Sequence, residues 1–258
     1  MSASKGRGIV EKVSAIIIAG NEEKNIADCL ESVRWADEIV VVNSESSDRT
    51  VEIARRYTDK VFIRKWEGYA SQKGFSLEKA SNEWVLSIDA DERVSPELLA
   101  EIRQLDFGRA DGFYIPRRNY FLNKVVRSCG WSPDYQLRLF RKSRTTLTSR
   151  QVHEGFVVDG KRDYLKGELI HYTHTSIAAT LQKINEYSTL EAEEKSGRIH
   201  VTGPKIFFKP IWAFFQHFVI RRGFTDGVHG LMVSIIHAIT KTQVYMKIWE
   251  IQNARPKR

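Results

Sequence analysis

The chain has 258 residues, 42% of them hydrophobic and 28% charged, so it can bury a sizeable core and a disordered protein is excluded. Two cysteines, Cys29 and Cys129, cannot form a disulfide framework, and without a CxxC pair they exclude a zinc knuckle. The formal charge of +8 is concentrated in residues 201–258, which hold nine Lys or Arg against two acidic residues. The polar start at residues 1–12 lacks the apolar stretch of a signal peptide, so we expect a cytoplasmic protein.

Residues 12–110 alternate apolar runs with amphipathic segments. Apolar runs typical of buried parallel strands occur at residues 13–19, 38–42, 60–64 and 84–88. Helices are predicted between and after them, at residues 25–33, from Ser47 or Asp48 to Tyr57, at 68–80, and from Ser95-Pro96 to about Gln104. This repetition predicts an α/β fold, a Rossmann-like and mostly parallel central sheet with helices on both faces.

The rhythm changes after about residue 111. Shorter mixed strands are predicted at residues 112–116, 119–122 and 136–140, and a polar amphipathic helix at 176–195. Two apolar segments follow at residues 206–220 and 227–239, both short of the roughly 18–20 uninterrupted apolar residues of a spanning helix. Their aromatic side chains either pack the last helices onto the body or form amphipathic helices on an anionic membrane surface, and we favour the second.

A pair of carboxylates is the strongest local signal. Asp89 and Asp91 flank one small residue, Ala90, where a buried strand ends. Ligands of open parallel sheets bind beyond the carboxyl ends of the strands, and hard oxygen ligands there suit Mg²⁺ or Mn²⁺ held partly by substrate phosphates. The alternative is that both aspartates cap the following turn.

Polar residues also follow the first two strands. Asn21 and Glu22 come after strand one, and Asn43 and Asp48 come at and after the end of strand two. Each loop by itself is explained by ordinary capping. Because parallel strands deliver their carboxyl ends to one edge, the three loops together predict a nucleotide site with a metal at the diphosphate.

These segments resemble the family 2 glycosyltransferases, which are inverting enzymes with a GT-A-type fold. The matching features in residues 12–115 are the Asn21-Glu22-Glu23 turn, the run Ser46-Ser47-Asp48-Arg49-Thr50 and the segment Asp89-Ala90-Asp91-Glu92. The second half is similar to a bacterial subgroup that builds the lipopolysaccharide core. That similarity is carried by the run from Ser132 to Arg141, Val152-His153-Glu154, His171-Tyr172 and Arg221-Arg222-Gly223-Phe224.

The resemblance implies a role for each matching residue. Asp91 would coordinate the divalent metal, and Asp89 would contact the ribose or support the metal. Asn21, Glu22, Asn43 and Asp48 would border the nucleotide, and Glu154 would lie near the acceptor. The sequence departs from the family at Asn43, where Asp is usual, and at Glu45, where Gly is common. Asn43 can still hydrogen-bond a base, so the departure concerns the identity of the nucleotide.

The chemistry of displacement at an anomeric carbon adds further candidates. The acceptor hydroxyl must lose a proton, for which Glu154 is the candidate base and Asp134 the runner-up; the alternative for Glu154 is a surface salt bridge. Arg138 either clamps the diphosphate or lies on a solvated strand face, and Lys73 is a weaker candidate for the same contact.

The sequence therefore predicts a metal-dependent inverting hexosyltransferase, with Mg²⁺ or Mn²⁺ as cofactor. Its expected partners are a nucleotide-diphosphate sugar, favouring glucose, a lipopolysaccharide-core or related glycolipid, and an anionic membrane surface, but no nucleic acid. We expect a transferase domain at residues 12–200, with a nucleotide-sugar half at 12–110 and an acceptor half at 111–200. Residues 201–258 would form a basic, membrane-associating helical tail, placing the protein on the inner face of the bacterial inner membrane. Transfer to a polyprenyl phosphate, and a non-catalytic sugar-binding or membrane scaffold, remain open.

Overall fold

The computed structural model describes residues 11–147, 155–174 and 176–253. The strands are β1 (Val13–Ala19), β2 (Glu38–Asn43), β3 (Val61–Ile63), β4 (Trp84–Asp89), β5 (Glu92–Val94), β6 (Gly112–Phe121), β7 (Lys124–Val125), β8 (Asp134–Arg141), β9 (Thr145–Leu147), β10 (Phe156–Val158), β11 (Arg162–Tyr164) and β12 (Leu169–His174). The α-helices are α1 (Ile26–Ser32), α2 (Thr50–Ala54), α3 (Tyr69–Lys79), α4 (Pro96–Arg103), α5 (Ile177–Ser196), α6 (Gly203–Phe215) and α7 (Val228–Asn253).

The described residues form two compact units. The first comprises residues 11–115, 137–147 and 155–167, and the second comprises 116–136, 168–174 and 176–253. The division predicted from the sequence, with segments ending at residues 110, 200 and 258, concerns functional regions and stays a prediction.

A mostly parallel sheet forms the centre of the first unit. Its strands run in the order β3-β2-β1-β4-β8, with β1, β2, β3 and β4 parallel and β8 antiparallel to β4. The sequence of β1, VSAIIIA, has no polar face, and nearly every residue in it is buried, as expected for a central parallel strand. Ile16, Val40 and Val85 from three adjacent strands meet Leu77 of α3 and Phe140 of β8 in one core cluster. The predicted mixed α/β class with a mostly parallel sheet is confirmed.

The second unit combines short strands with the long C-terminal helices. The latter part of β6 pairs in parallel with β12 and antiparallel with β7. Helices α5 and α6 both pack against α7. Their apolar contacts form two clusters, one around Phe121, Ile184 and Val233, the other around Ala192 and Val244. In the part of the chain that the structure describes, no helix combines the length and the hydropathy needed to cross a bilayer.

Several elements differ from their predicted bounds. The helix expected from Ser47 or Asp48 to Tyr57 is shorter, Thr50–Ala54, and the apolar segment at residues 206–220 forms α6 at Gly203–Phe215. The strands expected at residues 112–116 and 119–122 form one continuous strand, β6, which contains Pro116. The helix expected at residues 227–239 continues to Asn253, because the polar residues after Ile239 still place Val244 and Ile248 on the buried side.

Candidate functional site

The register of the first unit's sheet brings two predicted site residues to the same strand end. Asn43 of β2 lies opposite Ala19 of β1, and Asp89 of β4 lies opposite Ile18 on the other side of β1. The last residues of three neighbouring strands are therefore level with one another. This is the edge at which open parallel sheets bind ligands.

The loops that follow β1 and β2 are tied to each other. Asn21 has a left-handed backbone, with φ of 55°. Its N–H donates to Ser46 Oγ at 2.7 Å, and its Oδ1 accepts from Ser47 N at 2.9 Å. The N–H of Glu22 donates to Thr50 Oγ1 at 2.8 Å. The sequence explains each loop singly by capping and predicts that the loops together form one site. In the structure the two loops are hydrogen-bonded to each other, and we refer to residues 20–23 and 43–50 as the rim.

Asn43 is fully buried, and both ends of its amide bond to one residue of its own loop. Its Nδ2 donates to Ser46 Oγ at 2.7 Å, and its Oδ1 accepts from Ser46 N at 2.8 Å. This Asx-type turn folds the loop back over the end of β2. The predicted contact between Asn43 and a nucleotide base stays a prediction.

Asp48 holds the start of α2 and the loop after β1 together. Its carboxylate accepts from Thr50 N at 3.0 Å, from Thr50 Oγ1 at 2.5 Å and from Glu23 N at 3.0 Å. Burial by itself raises the pKa of Asp48, but these hydrogen bonds to the ionised form outweigh it and lower the pKa below its usual value. Asp48 is therefore ionised and links the two loops through its hydrogen bonds.

Asp89 is held between two cations. Arg138 Nη2 donates to Asp89 Oδ2 at 2.5 Å and to Glu92 Oε1 at 2.7 Å, while Lys73 Nζ lies 3.4 Å from Asp89 Oδ1. Glu92 Oε2 in turn accepts the backbone N–H of Asp89 at 2.9 Å. The carboxylate and the backbone of Asp89 are thus both fixed by neighbouring side chains.

Arg138 is almost completely buried, with 6% of its side chain exposed. Burial by itself lowers the pKa of Arg138, but the charges of Asp89 and Glu92 raise it above its usual value, so the guanidinium stays ionised. The predicted alternative of a solvated strand face does not describe this position. Whether the same guanidinium also reaches a diphosphate stays a prediction.

Glu92 is a residue that sequence reasoning missed. It is fully buried and connects Asp89 to Arg138. Its signal was a third acidic residue directly after the Asp-Ala-Asp segment, at the start of the short strand β5. Buried carboxylates of this kind need a partner of opposite charge, which Arg138 supplies.

The residues around Asp91 decide how a divalent cation can be held. Asp91 is half-buried and follows the end of β4 by two positions. Within the described ranges, no group of three or more His, Cys, Asp and Glu side chains could hold a metal. The carboxylate of Asp89 is already paired with Arg138 and Lys73. The donor set therefore fits a cation for which Asp91 supplies a protein ligand and substrate phosphates supply others, as Mg²⁺ commonly binds.

Of the two candidate bases, Asp134 lies within the described residues and Glu154 does not. Asp134 belongs to the second unit, where its carboxylate accepts from Arg117 Nε at 2.8 Å, Asn119 Nδ2 at 3.1 Å and Gln136 Nε2 at 2.7 Å. Burial raises the pKa of Asp134, but the Arg117 charge and these hydrogen bonds lower it below its usual value. Glu154, with its neighbour His153, lies outside the described residues.

The chain belongs to glycosyltransferase family 2, as the resemblance in the sequence indicates. The family model described as "Glycosyl transferase family 2" matches residues 14–186, which include the sheet edge and its loops. An uncharacterised glycosyltransferase of Rickettsia conorii, RC0292, is 34% identical over 253 residues, covering 91% of this chain and 89% of that protein. The lipopolysaccharide core biosynthesis glycosyltransferase LpsC of Rhizobium meliloti is 31% identical over 259 residues, covering 91% of this chain and 92% of that protein.

A solved structure is also similar, more distantly. It is the mannosyltransferase PcManGT from Pyrobaculum calidifontis in complex with GDP-Man and Mn²⁺, with 15% identity and a TM-score of 0.48. The match covers 96% of this chain and 88% of that chain. At this level of similarity, neither the donor nor the metal of that protein carries over to this one.

Proposed function

We propose that this chain is a metal-dependent inverting glycosyltransferase that moves a hexose from a nucleotide-diphosphate sugar to a lipopolysaccharide-core or related glycolipid acceptor. The observation that carries the proposal is the register that places Asn43 and Asp89 on the two sides of the end of β1. Similarity to LpsC over nine-tenths of both chains supports the acceptor class. Glucose is the favoured hexose.

The rim of the first unit would hold the nucleotide sugar. The loops at Asn21–Glu22 and at Asn43–Asp48 are cross-linked, so their backbone and side-chain groups are fixed before a ligand arrives. Such preorganisation lowers the entropy lost on binding. Asp89, oriented by Arg138, would accept hydrogen bonds from the ribose hydroxyl groups, and Lys73 would contact the diphosphate.

A divalent cation would complete the leaving-group site at Asp91. When bound, Mg²⁺ or Mn²⁺ acts as a Lewis acid that neutralises charge on the departing diphosphate. We assign the principal protein ligand to Asp91, as the resemblance to the family implies, and a supporting position to Asp89, whose carboxylate is paired with Arg138 and Lys73.

The acceptor hydroxyl would be deprotonated by a carboxylate of this chain. Glu154 is the proposed general base, and Asp134 is the runner-up. The contacts of Asp134 with Arg117 and its lowered pKa favour a positioning role for that residue, since a stabilised carboxylate is a weaker base. A Glu154→Gln protein that retains full transfer activity would remove the assignment of the base.

Turnover of nucleotide sugars tests the enzyme directly. With Mn²⁺ or Mg²⁺ present we expect release of the nucleoside diphosphate in the presence of glycolipid extract, and little without metal. Asp91→Asn is expected to lower turnover by about 100-fold, since one lost electrostatic contact to a developing charge has this order of effect. Asp59→Asn removes an exposed carboxylate of the same unit and serves as the control. Metal-independent turnover of the unmodified protein would refute the metal site, and full metal-dependent turnover in the Asp91→Asn protein would refute Asp91 as its ligand. No turnover of any donor would favour the scaffold.

A thermal-shift screen identifies the donor. A nucleoside diphosphate or its sugar, together with Mg²⁺ or Mn²⁺, raises the melting temperature in proportion to the logarithm of its concentration over its dissociation constant. We expect nucleotides with one particular nucleobase to raise the melting temperature most. The Asn43→Asp variant tests whether this position influences the preferred nucleobase. If the order of preference among nucleobases is unchanged in the Asn43→Asp protein, Asn43 does not select the nucleobase.

The second unit would bring the enzyme to its lipid-linked acceptor. Phe207, Phe208 and Trp212 of α6 are each more than half exposed. Lys205 and Lys209 lie on the same helix and are also exposed. Exposed aromatic side chains beside lysines are typical of helices that lie at a membrane interface. We therefore propose peripheral association with an anionic membrane surface, on the cytoplasmic side.

A further inference from the structure

A cationic pocket in the second unit has no part in the site described above. Its volume is about 500 Å³, and its polar lining comes from Arg127, Arg221, Arg222, Ser128, Ser132 and Thr225. We refer to it as the arginine pocket. Its residues come from the loop after β7 and from the turn between α6 and α7, and all of them belong to one unit.

The three guanidinium groups are available to an anion. Among the described residues, no carboxylate forms an ion pair with Arg127, Arg221 or Arg222. The acidic side chain of this region, Asp226, instead accepts from the backbone N–H groups of Arg127 and Ser128 at 3.0 and 2.9 Å and from Ser128 Oγ at 2.6 Å. The hydroxyl groups of Ser128 and Thr225 already donate to Asp226 and to Arg222 O. The donors that the pocket offers to phosphate are therefore its three guanidinium groups.

The two segments that carry the arginines are held together firmly. Cys129 N donates to Arg221 O at 2.9 Å, and His217 Nδ1 lies 2.8 Å from Cys129 O. Arg222 has a left-handed backbone, with φ of 56°. Gly130 leaves room for the Arg221 guanidinium, since an added Cβ would lie 2.5 Å from Arg221 Nη1. The charges are thus positioned by the fold.

The arginine pocket has one apolar side chain in its lining, and exposed apolar residues follow it closely in the chain. Ile220 contributes to its lining and is 55% exposed. Phe224 follows Arg222 by two positions, Val228 begins α7, and both are more than half exposed. An anion site that includes an exposed apolar side chain, Ile220, suits an amphiphile with a charged head and an apolar body better than it suits a small soluble anion.

We propose that the arginine pocket binds the phosphate monoester head of a membrane lipid. The proposal rests on the proposed action at a membrane surface and deepens it, because it adds a defined lipid headgroup site to general electrostatic attraction. A dianionic monoester offers oxygen atoms to several guanidinium groups at once, whereas a phosphodiester carries one charge and fewer free oxygen atoms.

Vesicle sedimentation tests the preference for a monoester. The probes are phosphatidylcholine vesicles containing phosphatidic acid or phosphatidylglycerol, matched in surface charge and compared at physiological ionic strength. We expect binding to phosphatidic acid to be about tenfold tighter, the effect of one additional charge-assisted hydrogen bond. Arg127→Gln and Arg221→Gln should each abolish this preference. Lys209→Gln removes the same charge from exposed α6 and should weaken binding to both vesicles equally.

The remaining arms separate the other sources of the anion. Inorganic phosphate and glycerol 3-phosphate are added to the protein in a thermal-shift assay. Stabilisation by these soluble anions at the phosphate concentration of the vesicles would overturn the lipid assignment. Equal binding to both vesicles, or a preference that survives in Arg127→Gln and Arg221→Gln, would overturn the pocket.

Nucleotide binding distinguishes this proposal from the proposed transferase. Stabilisation of Arg127→Gln by nucleoside diphosphate and Mn²⁺ should equal that of the unmodified protein. If the variant lost this stabilisation, the pocket would belong to the donor site and the proposal would be wrong. If the unmodified protein bound no nucleotide but preferred phosphatidic acid, the proposed transferase function would be wrong and the proposed lipid site would be supported.

Discussion

Arg138 holds the acidic residues at the end of β4 in place. Its guanidinium neutralises Glu92, which is fully buried, and fixes Asp89 at the strand end. Arg138→Met would leave Glu92 as an uncompensated buried charge, so we expect a loss of about 3–5 kcal/mol in unfolding free energy. Urea denaturation of the variant measures this loss.

A matched variant separates burial from the mere loss of an arginine. Arg118 pairs with Glu168 in the second unit, and about a third of each side chain is exposed. Arg118→Met should cost no more than about 1 kcal/mol, the usual value for a solvated pair. Equal losses in the two variants would contradict a special role for the buried Arg138 cluster.

Glu38 makes the unfolding free energy of the first unit depend on pH. Its carboxylate accepts from Ser81 N and Ser81 Oγ at 2.7 Å each, and also from Ser14 and Lys60. Burial by itself would raise its pKa, but the hydrogen bonds from Lys60, Ser14 and Ser81 lower the pKa to about 2. The resulting stabilisation, about 3 kcal/mol, is present above the unfolded-state pKa of 4.5 and is lost as the pH falls through about 2.

Glu38→Gln tests this dependence. At pH 7 the variant should unfold with about 3 kcal/mol less free energy than the unmodified protein, and the difference should shrink as the pH falls from 4.5 towards 2. Glu31→Gln, which alters a carboxylate with 57% of its side chain exposed, should change the unfolding free energy little at any pH. A difference for Glu38→Gln that stays constant with pH would show that Glu38 stabilises by packing alone.

For the candidate site, the sequence predicted where residues lie better than it predicted their hydrogen-bond and ion-pair partners. It predicted that Asn43 and Asp89 would lie at one edge, because strand order and strand ends follow from hydrophobic runs. It did not predict that Ser46 would bond both ends of the Asn43 amide, or that Glu92 would share Arg138 with Asp89. Such contacts depend on which side chains face each other across strands, and a linear pattern does not contain that information.

The turn at Gly223 packs closely against α7 because neither Gly223 nor Gly230 has a side chain. An added Cβ at Gly230 would lie 1.8 Å from Gly223 O, which is a backbone atom and cannot move aside. Gly230→Ala should therefore force α7 away from the turn that carries Arg221 and Arg222. We expect a destabilisation of at least about 1–3 kcal/mol, the typical cost of overpacking, measured by thermal unfolding.

Gly203→Ala is the matched control for that substitution. Gly203 is the first residue of α6, and an added Cβ there would meet nothing within 4 Å. Alanine is favoured over glycine in helices, so this variant should be neutral or more stable by up to about 1 kcal/mol. A destabilised Gly203→Ala protein, or an unaffected Gly230→Ala protein, would contradict the packing argument.

Element boundaries followed the sequence where a side chain caps a helix. Ser95 Oγ accepts from Leu98 N at the start of α4, and Ser176 Oγ accepts from Ala179 N at the start of α5, as the residue types predict. The continuity of β6 through Pro116 was not predicted, because proline removes a donor and usually marks the end of a strand. The pairing that keeps β6 extended comes from residues far along the chain.

On the scale of the whole molecule, charge and apolar exposure lie at the same end of the sequence. Residues 201–258 carry most of the net charge, and helix α6 of this segment also contains Phe207, Phe208 and Trp212, which are exposed. The sequence predicted the concentration of charge but left open whether these aromatic side chains pack inward. That depended on which face of α6 contacts α7, and the contact buries Ala213 while it leaves the bulky aromatic side chains outside.

A paired substitution on α6 tests whether this surface enters a membrane. Phe207 and Phe208 are 64% and 63% exposed, so replacing both with serine should disturb the fold little. Each phenylalanine that inserts is worth up to about 1.5–3 kcal/mol, so the double variant should bind anionic vesicles at least about tenfold more weakly. Binding of the unmodified protein should also fall with added salt, because Lys205 and Lys209 contribute by electrostatic attraction.

Tyr164→Ser is the control, because it alters an aromatic side chain of the first unit that is 55% exposed, and this variant should bind vesicles as the unmodified protein does. Vesicle binding that withstands the loss of both phenylalanines would place the membrane contact elsewhere in the chain.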